Sequence, residues 1–305
     1  MKPNQASALL LLDQRVNTPP TAVLTGPAST PDTTSSIALS SSTSADSDGT
    51  IVRRRYELVS GDTRGYFDGE VATVNFVPWS PLNITGIVHW YDFDDTATVT
   101  IATGISAVTN KVSGGASLLQ ATAANQPARV LTRLAGDTQR NVAVLDGVDD
   151  VLVVTESFVT PVTLVIVARK RTPSPSAGTK VLCKIEERAV YASTVGLSMW
   201  SGTAQIDITM NEDEWRGPFH VFILRLSGSA LTTYVDGTPE TGGAQTTTAT
   251  TNFIIGADDI NGASAGDWEV GEVVICTSVL AAADLNNVGR YLASRWACPP
   301  WTTVV

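Results

Sequence analysis

The strongest constraint on this chain is the scarcity of helical periodicity. Across 305 residues, the one convincing helical stretch is Ala281 to Trp296, where Leu285, Val288, Leu292 and Trp296 share a face. The other apolar runs are short, alternate with period two or stay continuously apolar, and end in turn residues. Thr163 to Arg169 reads as a buried strand and Phe219 to Leu226 as another. Gly228-Ser229 turns the second into Ala230–Val235 as a hairpin, Asp236-Gly237 makes the next tight turn, and Val270 to Ile275 forms a late strand. A chain punctuated in this way buries its apolar residues by packing sheet on sheet.

Composition agrees. Apolar residues are 43% of the chain and charged residues only 16%, the balance being rich in Ser, Thr and turn residues. A net charge of −10 repels phosphate backbones and argues against nucleic acid as a partner. The one basic run, Arg53-Arg54-Arg55, sits within a strand-like stretch and reads as a solvated face or a subunit contact. Cys183, Cys276 and Cys298 are odd in number and far apart, without metal-ligand spacing, so free thiols are expected. No apolar run approaches the length of a membrane span, and Ala8 to Leu12 is too short for the apolar core of an export signal. This reading places the protein in the cytoplasm where it is made, and then on a virion surface. An extracellular or cell-surface location is the alternative.

Three segments follow along the chain. Residues 1–17 form an N-terminal arm in which Leu9, Leu10, Leu11 and Leu12 need an apolar partner, either the next domain or another subunit. Residues 18–79 hold four strand candidates, Thr21–Leu24, Ser36–Ser40, Ile51–Leu58 and Val71–Phe76, separated by turn-rich segments. Residues 80–305 form the larger domain, entered through a joint at Trp79-Ser80-Pro81 where proline disfavours helix and central strand.

Two resemblances give these segments an expected fold. Pro20-Thr21-Ala22-Val23, followed by Ser42-Thr43-Ser44-Ala45-Asp46-Ser47-Asp48-Gly49-Thr50-Ile51, resembles the first half of a PKD-type immunoglobulin-like domain. The family's later W-x-F-G-D-G is replaced here by Tyr56 to Asp62, so a shortened Ig/PKD-like β-sandwich is expected. Residues 86–301 resemble a concanavalin A-like, laminin-G-like (LamG) jelly-roll. The resemblance rests on the order of His89-Trp90-Tyr91-Asp92, Gln120 to Pro127, Leu145-Asp146-Gly147-Val148-Asp149-Asp150, Tyr234-Val235-Asp236-Gly237, Phe253-Ile254-Ile255-Gly256 and Tyr291 to Trp296. It implies an all-β protein of two antiparallel sheets face to face with one C-terminal helix. It implies no particular ligand, because the fold carries many functions.

The site candidates divide by chemistry. The nearest approach to a glycosidase carboxylate pair is Asp267-Trp268-Glu269 with Glu272, in the wrong order for that arrangement. His89 and His220 sit beside strand-like apolar residues and read as packed, so the chain is expected not to be an enzyme. Asp258, Asp259 and Asp267 offer oxygen ligands for Ca²⁺, against the plainer reading that acids cap turns; no other cofactor is implied. Trp200, Trp215 and Trp268 fall near loops and are candidates for sugar stacking or a protein contact, with protein favoured because no carboxamide cluster accompanies them. Trp301, in the tail, is a candidate anchor beside the four leucines.

The expected function is therefore a non-enzymatic structural or adhesive virion protein, a bacteriophage capsid or tail decoration or fibre-like protein. Its partners would be capsid or tail proteins, further copies of itself and host-surface glycans, without membrane insertion. A carbohydrate-binding adhesin of a phage or bacterial surface is the alternative, and a glycan-cleaving enzyme relying on Glu269 a third.

Overall fold

The computed structural model describes residues 79–305 apart from 136–137, 160, 174–178, 186–187, 194–195, 201–204, 209, 211, 229 and 245–249, and four strands before residue 79. The chain divides into two compact units, Met1–Ser80 and Pro81–Val305.

In the first unit, β1 (Ile37–Ser40) pairs antiparallel with β4 (Thr73–Phe76), and β2 (Arg54–Ser60) with β3 (Thr63–Gly69). Strand β3 has no counterpart in the sequence reading, which took its Gly-flanked residues for turn. The expected strand Thr21–Leu24, the PKD-like turn Ser42 to Thr50 and the leucines Leu9 to Leu12 lie outside the described residues.

The second unit is a two-sheet sandwich. Its first strands are β5 (Ile87–Asp92), β6 (Val99–Ile101), β7 (Ile105–Val108), β8 (Leu118–Leu119), β9 (Ala128–Arg133), β10 (Gln139–Val144), β11 (Leu152–Phe158) and β12 (Val162–Lys170). Then come β13 (Lys180–Ile185), β14 (Arg188–Ser193), β15 (Gly196–Trp200) and β16 (Gln205–Asp207). The short helix α1 (Glu212–Arg216) precedes β17 (His220–Ser227), β18 (Ala230–Val235), β19 (Thr238–Ala244), β20 (Thr250–Ile255) and β21 (Trp268–Cys276), and α2 (Ala282–Trp296) follows. One sheet runs β19-β18-β17-β12-β21-β10-β9, with β5 also paired to β21, and the other runs β16-β15-β14-β13-β20-β11-β8-β7-β6. Among the described residues the paired strands are antiparallel, with many of the neighbours distant in sequence, as in a jelly-roll.

Alternation decides which side chains meet between the sheets. From the first sheet come Leu164, Ile166, Phe222, Leu224, Val273 and Ile275; from the second, Val154, Leu182, Val190, Met199, Phe253 and Ile255. The opposite face of the first sheet is also buried, at Val165, Val167, Ile223 and Val274, because α2 covers it. A Cβ on Gly271 would stand 2.8 Å from the Trp296 ring, so the bare glycine lets that indole lie against β21. The hairpin turn after β18 has Asp236 at φ +50° and Gly237 at φ +84°, the paired positive angles of a two-residue turn that matches strand twist.

Candidate functional site

The outward face of the nine-stranded sheet carries a continuous cross-strand ladder. Register places Leu119 opposite Val153, Val153 opposite Ile254, Ile254 opposite Lys184, Lys184 opposite Ala189, Ala189 opposite Trp200 and Trp200 opposite Gln205. Directly opposed residues share a face, so the Trp200 ring lies between a small residue, Ala189, and a carboxamide, Gln205. The next row of the same face is Val181, Tyr191, Ser198 and Asp207. On the inward side, Val190, Met199 and Ile206 lock β14, β15 and β16 into the core, which fixes the outward residues in turn.

These outward residues form a connected polar group around one aromatic ring. Trp200 is 37% exposed, Gln205 and Asp207 are exposed, and Ser198 and Tyr191 are buried beneath them. Ser198 donates to Asp207 Oδ1 at 2.9 Å, and Gln205 Nε2 donates to Ser198 Oγ at 3.3 Å and to Asp207 Oδ1. Those bonds leave Asp207 Oδ2 and Gln205 Oε1 outside them as acceptors. Burial, and then the Asp207 charge, raises the Tyr191 phenol above its ordinary range, so it stays a neutral hydroxyl. Lys184 in the ladder is paired with Asp258 at 3.0 Å. Chemically, the face can stack a flat apolar surface on Trp200 and accept hydrogen bonds beside it.

Two of the three tryptophan candidates need correction. Trp215 and Trp268 are 1% and 0% exposed and pack on each other with centroids 6.2 Å apart, so neither can meet a ligand. Trp268 opens β21 on its core-facing side, and α1 turns the segment after β16 so that Trp215 enters the sandwich instead of a surface loop. Trp301 is also corrected as an external anchor. Its ring lies against Gly289 of α2, its indole N–H donates to Asn286 Oδ1 at 2.9 Å, and Asn286 also binds the backbone of Val304 through two bonds of 2.8 Å.

The calcium candidates Asp258, Asp259 and Asp267 do not converge. Asp258 pairs with Lys184, Asp259 Oδ1 accepts from the backbone of Asn261 and Ala263, and Asp267 is paired with the buried Lys170. Among the described residues, the acidic trio within ligand reach of one another is Asp146, Asp149 and Asp150, in the turn before β11. There burial raises the Asp150 carboxyl to about 6, reinforced by Asp146 and Asp149. Asp150 Oδ2 accepts from the Asp146 amide at 2.8 Å, and Asp146 Oδ1 from that of Val148 at 2.8 Å, so these acids also hold their own turn.

Elsewhere the ionisable groups are tied into structure. Glu269 takes Arg169 at 2.8 Å and Thr132 at 3.2 Å. Glu272, fully buried, accepts from the indoles of Trp90 at 2.6 Å and Trp296 at 2.9 Å and pairs with Arg295 Nε at 3.2 Å. Burial and then Asp92 raise its carboxyl, against the pull of Arg295 and the two indoles. His89 is buried among Tyr91, Asn110 and Glu156, and His220 is held by Asp236 at 2.6 Å and the Glu214 carbonyl at 2.9 Å. A cavity of about 210 Å³ between α2 and the first sheet is lined mostly by Leu134, Pro218, Phe219, Trp296 and Arg169, whose guanidinium is engaged by Glu269, Thr132 and Gly217. It is smaller than a typical ligand pocket of roughly 300 Å³ or more.

No protein-family model matches the chain, and no curated protein matches it in sequence. Solved structures share its fold. A sialidase of Trypanosoma rangeli in complex with sialic acid is similar at TM-score 0.52 and 14% identity, over 81% of this chain and 43% of the sialidase. The same enzyme with 2,3-difluorosialic acid as a covalent intermediate is similar at TM-score 0.51 and 16% identity, over 81% and 43% of the two chains. The binding domain of botulinum neurotoxin DC in complex with SialylT is similar at TM-score 0.47 and 9% identity, over 68% of this chain and 52% of that one. The chain thus spans less than half the length of the sialidase chains it matches. At these identities the likeness to the two sialidase structures, each above TM-score 0.5, establishes the all-β sandwich. It also corrects the expectation that the chain is not an enzyme: that expectation rested on the order of Asp267, Glu269 and Glu272 and on packed histidines, and the structures sharing the fold include sialidases.

Proposed function

We propose that residues 81–305 form a carbohydrate-binding, lectin-like module whose ligand stacks on Trp200 and hydrogen-bonds to Gln205 and Asp207. The observation that carries this reading is the register of β14, β15 and β16, which gathers an exposed indole, a carboxamide, a carboxylate and a buried hydroxyl on one face. A pyranose presents a C–H face to such a ring and hydroxyls to such acceptors. That sugar-bound proteins share the fold supports the reading. The test is binding of the chain to a panel of immobilised oligosaccharides and polysaccharides, alongside Trp200→Ala. The variant is expected to lose about tenfold or more in affinity, which corresponds to ~1.4 kcal/mol of lost stacking. Unchanged binding by the variant, or no binding to any glycan, rejects the assignment.

In this reading the module is displayed on a bacteriophage particle as a multi-copy capsid or tail decoration or fibre-like protein, held through the first unit. The acidic charge and the order of a small strand-built unit before a lectin-like one support it. Immunogold labelling of intact particles with antibody to residues 81–305 tests it, and particles that carry no label reject it.

A further inference from the structure

We infer that the ligand of the Trp200 face is an uncharged hexopyranose and not a sialylated or otherwise anionic glycan; the inference rests on the glycan reading above. It follows from the charges and hydrogen-bonding capacity of the two rows of side chains. In the ladder from Leu119 to Gln205 and in the row Val181, Tyr191, Ser198, Asp207, the cation among the described residues is Lys184, and Asp258 holds it at 3.0 Å. The charge in these rows closest in register to Trp200 is the exposed Asp207 carboxylate, one diagonal step away across β15 and β16. Its Oδ1 already accepts from Ser198 and Gln205, so what it offers a ligand is Oδ2, a second acceptor. Gln205, with Nε2 turned toward Ser198 and Asp207, likewise offers Oε1. A face of acceptors selects a ligand that brings donors, and a neutral sugar brings a ring of hydroxyls. A sialic acid or a sulfated sugar brings a fixed negative charge and further acceptors to a carboxylate, on a chain whose net charge is −10. Selectivity thus resides in Asp207, which rewards a vicinal diol and repels an anion.

The experiment uses the full chain and matched probes: a galactose-terminated oligosaccharide, the same oligosaccharide capped with sialic acid, and a neutral glucan. Wild type, Trp200→Ala and Asp207→Asn are compared by titration at low and high salt. Expected is a preference of about tenfold or more for the uncapped over the capped probe at low salt, narrowing at high salt as the Asp207 charge is screened, while binding of the uncapped probe itself changes little. Asp207→Asn is expected to weaken the neutral probes several-fold and to narrow the gap to the capped one. Tighter binding of the capped probe, lost in Trp200→Ala, overturns the inference while the glycan reading stands. Equal binding of capped and uncapped probes overturns it too. Binding of neither, or binding indifferent to Trp200→Ala, removes the glycan reading and the inference together. The wild-type ratio alone decides the charge question, so the inference does not depend on how well either variant folds.

Discussion

Replacing Glu272 by Ala is expected to destabilise the second unit by about 4 kcal/mol. This carboxylate joins three elements: Trp90 on β5, its own strand β21, and Arg295 and Trp296 at the end of α2. Truncation strands two indole N–H groups, each costing about 1–3 kcal/mol when buried without an acceptor. Arg295 fares better, because Asp92 remains at 3.0 Å and Asp94 at 3.6 Å. The sum agrees with the roughly 3–5 kcal/mol lost when one partner is removed from a buried ion pair. For a unit of this size each kcal/mol moves Tm by about 2–4 °C, so a fall of roughly 12 °C is expected by circular dichroism. Glu272→Gln should cost less, about 2 kcal/mol, because one oxygen still accepts an indole and the charge facing Asp92 is gone. Glycan binding measured well below the transition should survive both variants, since Trp200 belongs to the other sheet. A Glu272→Ala protein that melts within 2 °C of wild type, by the ~2–4 °C scale above, or a Gln variant weaker than the Ala variant, refutes this account of the knot.

Three further outcomes follow from the same geometry. Gly271→Ala places a methyl 2.8 Å from the Trp296 ring, an overpacking expected to cost about 1–3 kcal/mol in chemical denaturation. Gly289→Ala gains about 1 kcal/mol of helix propensity but drives a Cβ into the Trp301 ring, so limited proteolysis should cut the segment after Cys298 faster than in wild type, and equal rates contradict it. Asp150 titrates with the opposite sign from an ordinary ion-paired carboxylate. Its folded value, about 6, lies above the unfolded 3.8, so the native state holds the proton more tightly and stability falls as pH rises through that window. Asp150→Asn should remove up to about 3 kcal/mol of that fall, and urea midpoints at pH 4 and pH 7 that shift equally in both proteins contradict it.

What the sequence made legible was whatever depends on local alternation. Thr163–Arg169 appears within β12, Phe219–Leu226 as β17, Val270–Ile275 within β21, and the helical stretch as α2, because in each the apolar spacing matches the geometry of the element. The strands from Lys180–Ile185 to Gln205–Asp207 are less legible, because β14 carries apolar and polar residues on both faces and β16 is only three residues long, so alternation marks neither as a strand until its partners are known. That gap explains why the candidate face was seen only in part. Trp200 was singled out, yet its carboxamide neighbour was missed, because Gln205 lies five positions along the chain and becomes adjacent only through the register of β15 and β16.

The misplacement of Trp215 and Trp268 has the same root. Both adjoin acids, Glu214 in one case and Asp267 and Glu269 in the other, and proximity in sequence to charge suggests the surface. In a strand, however, neighbours take opposite faces: Glu269, next to Trp268, is held on the outer face by Arg169, and Trp268 takes the core side. Trp200 escapes that fate because its neighbour Met199 takes the inward position, leaving the indole the solvent side. The distinction was available from parity: Leu197 and Met199 are the apolar residues of β15, and Ser198 and Trp200 occupy the other face. A tryptophan in phase with a serine on an alternating strand is thus a better surface candidate than one flanked by carboxylates, and here parity, not proximity to charge, separates the one ring that can meet a ligand from the two that form the core.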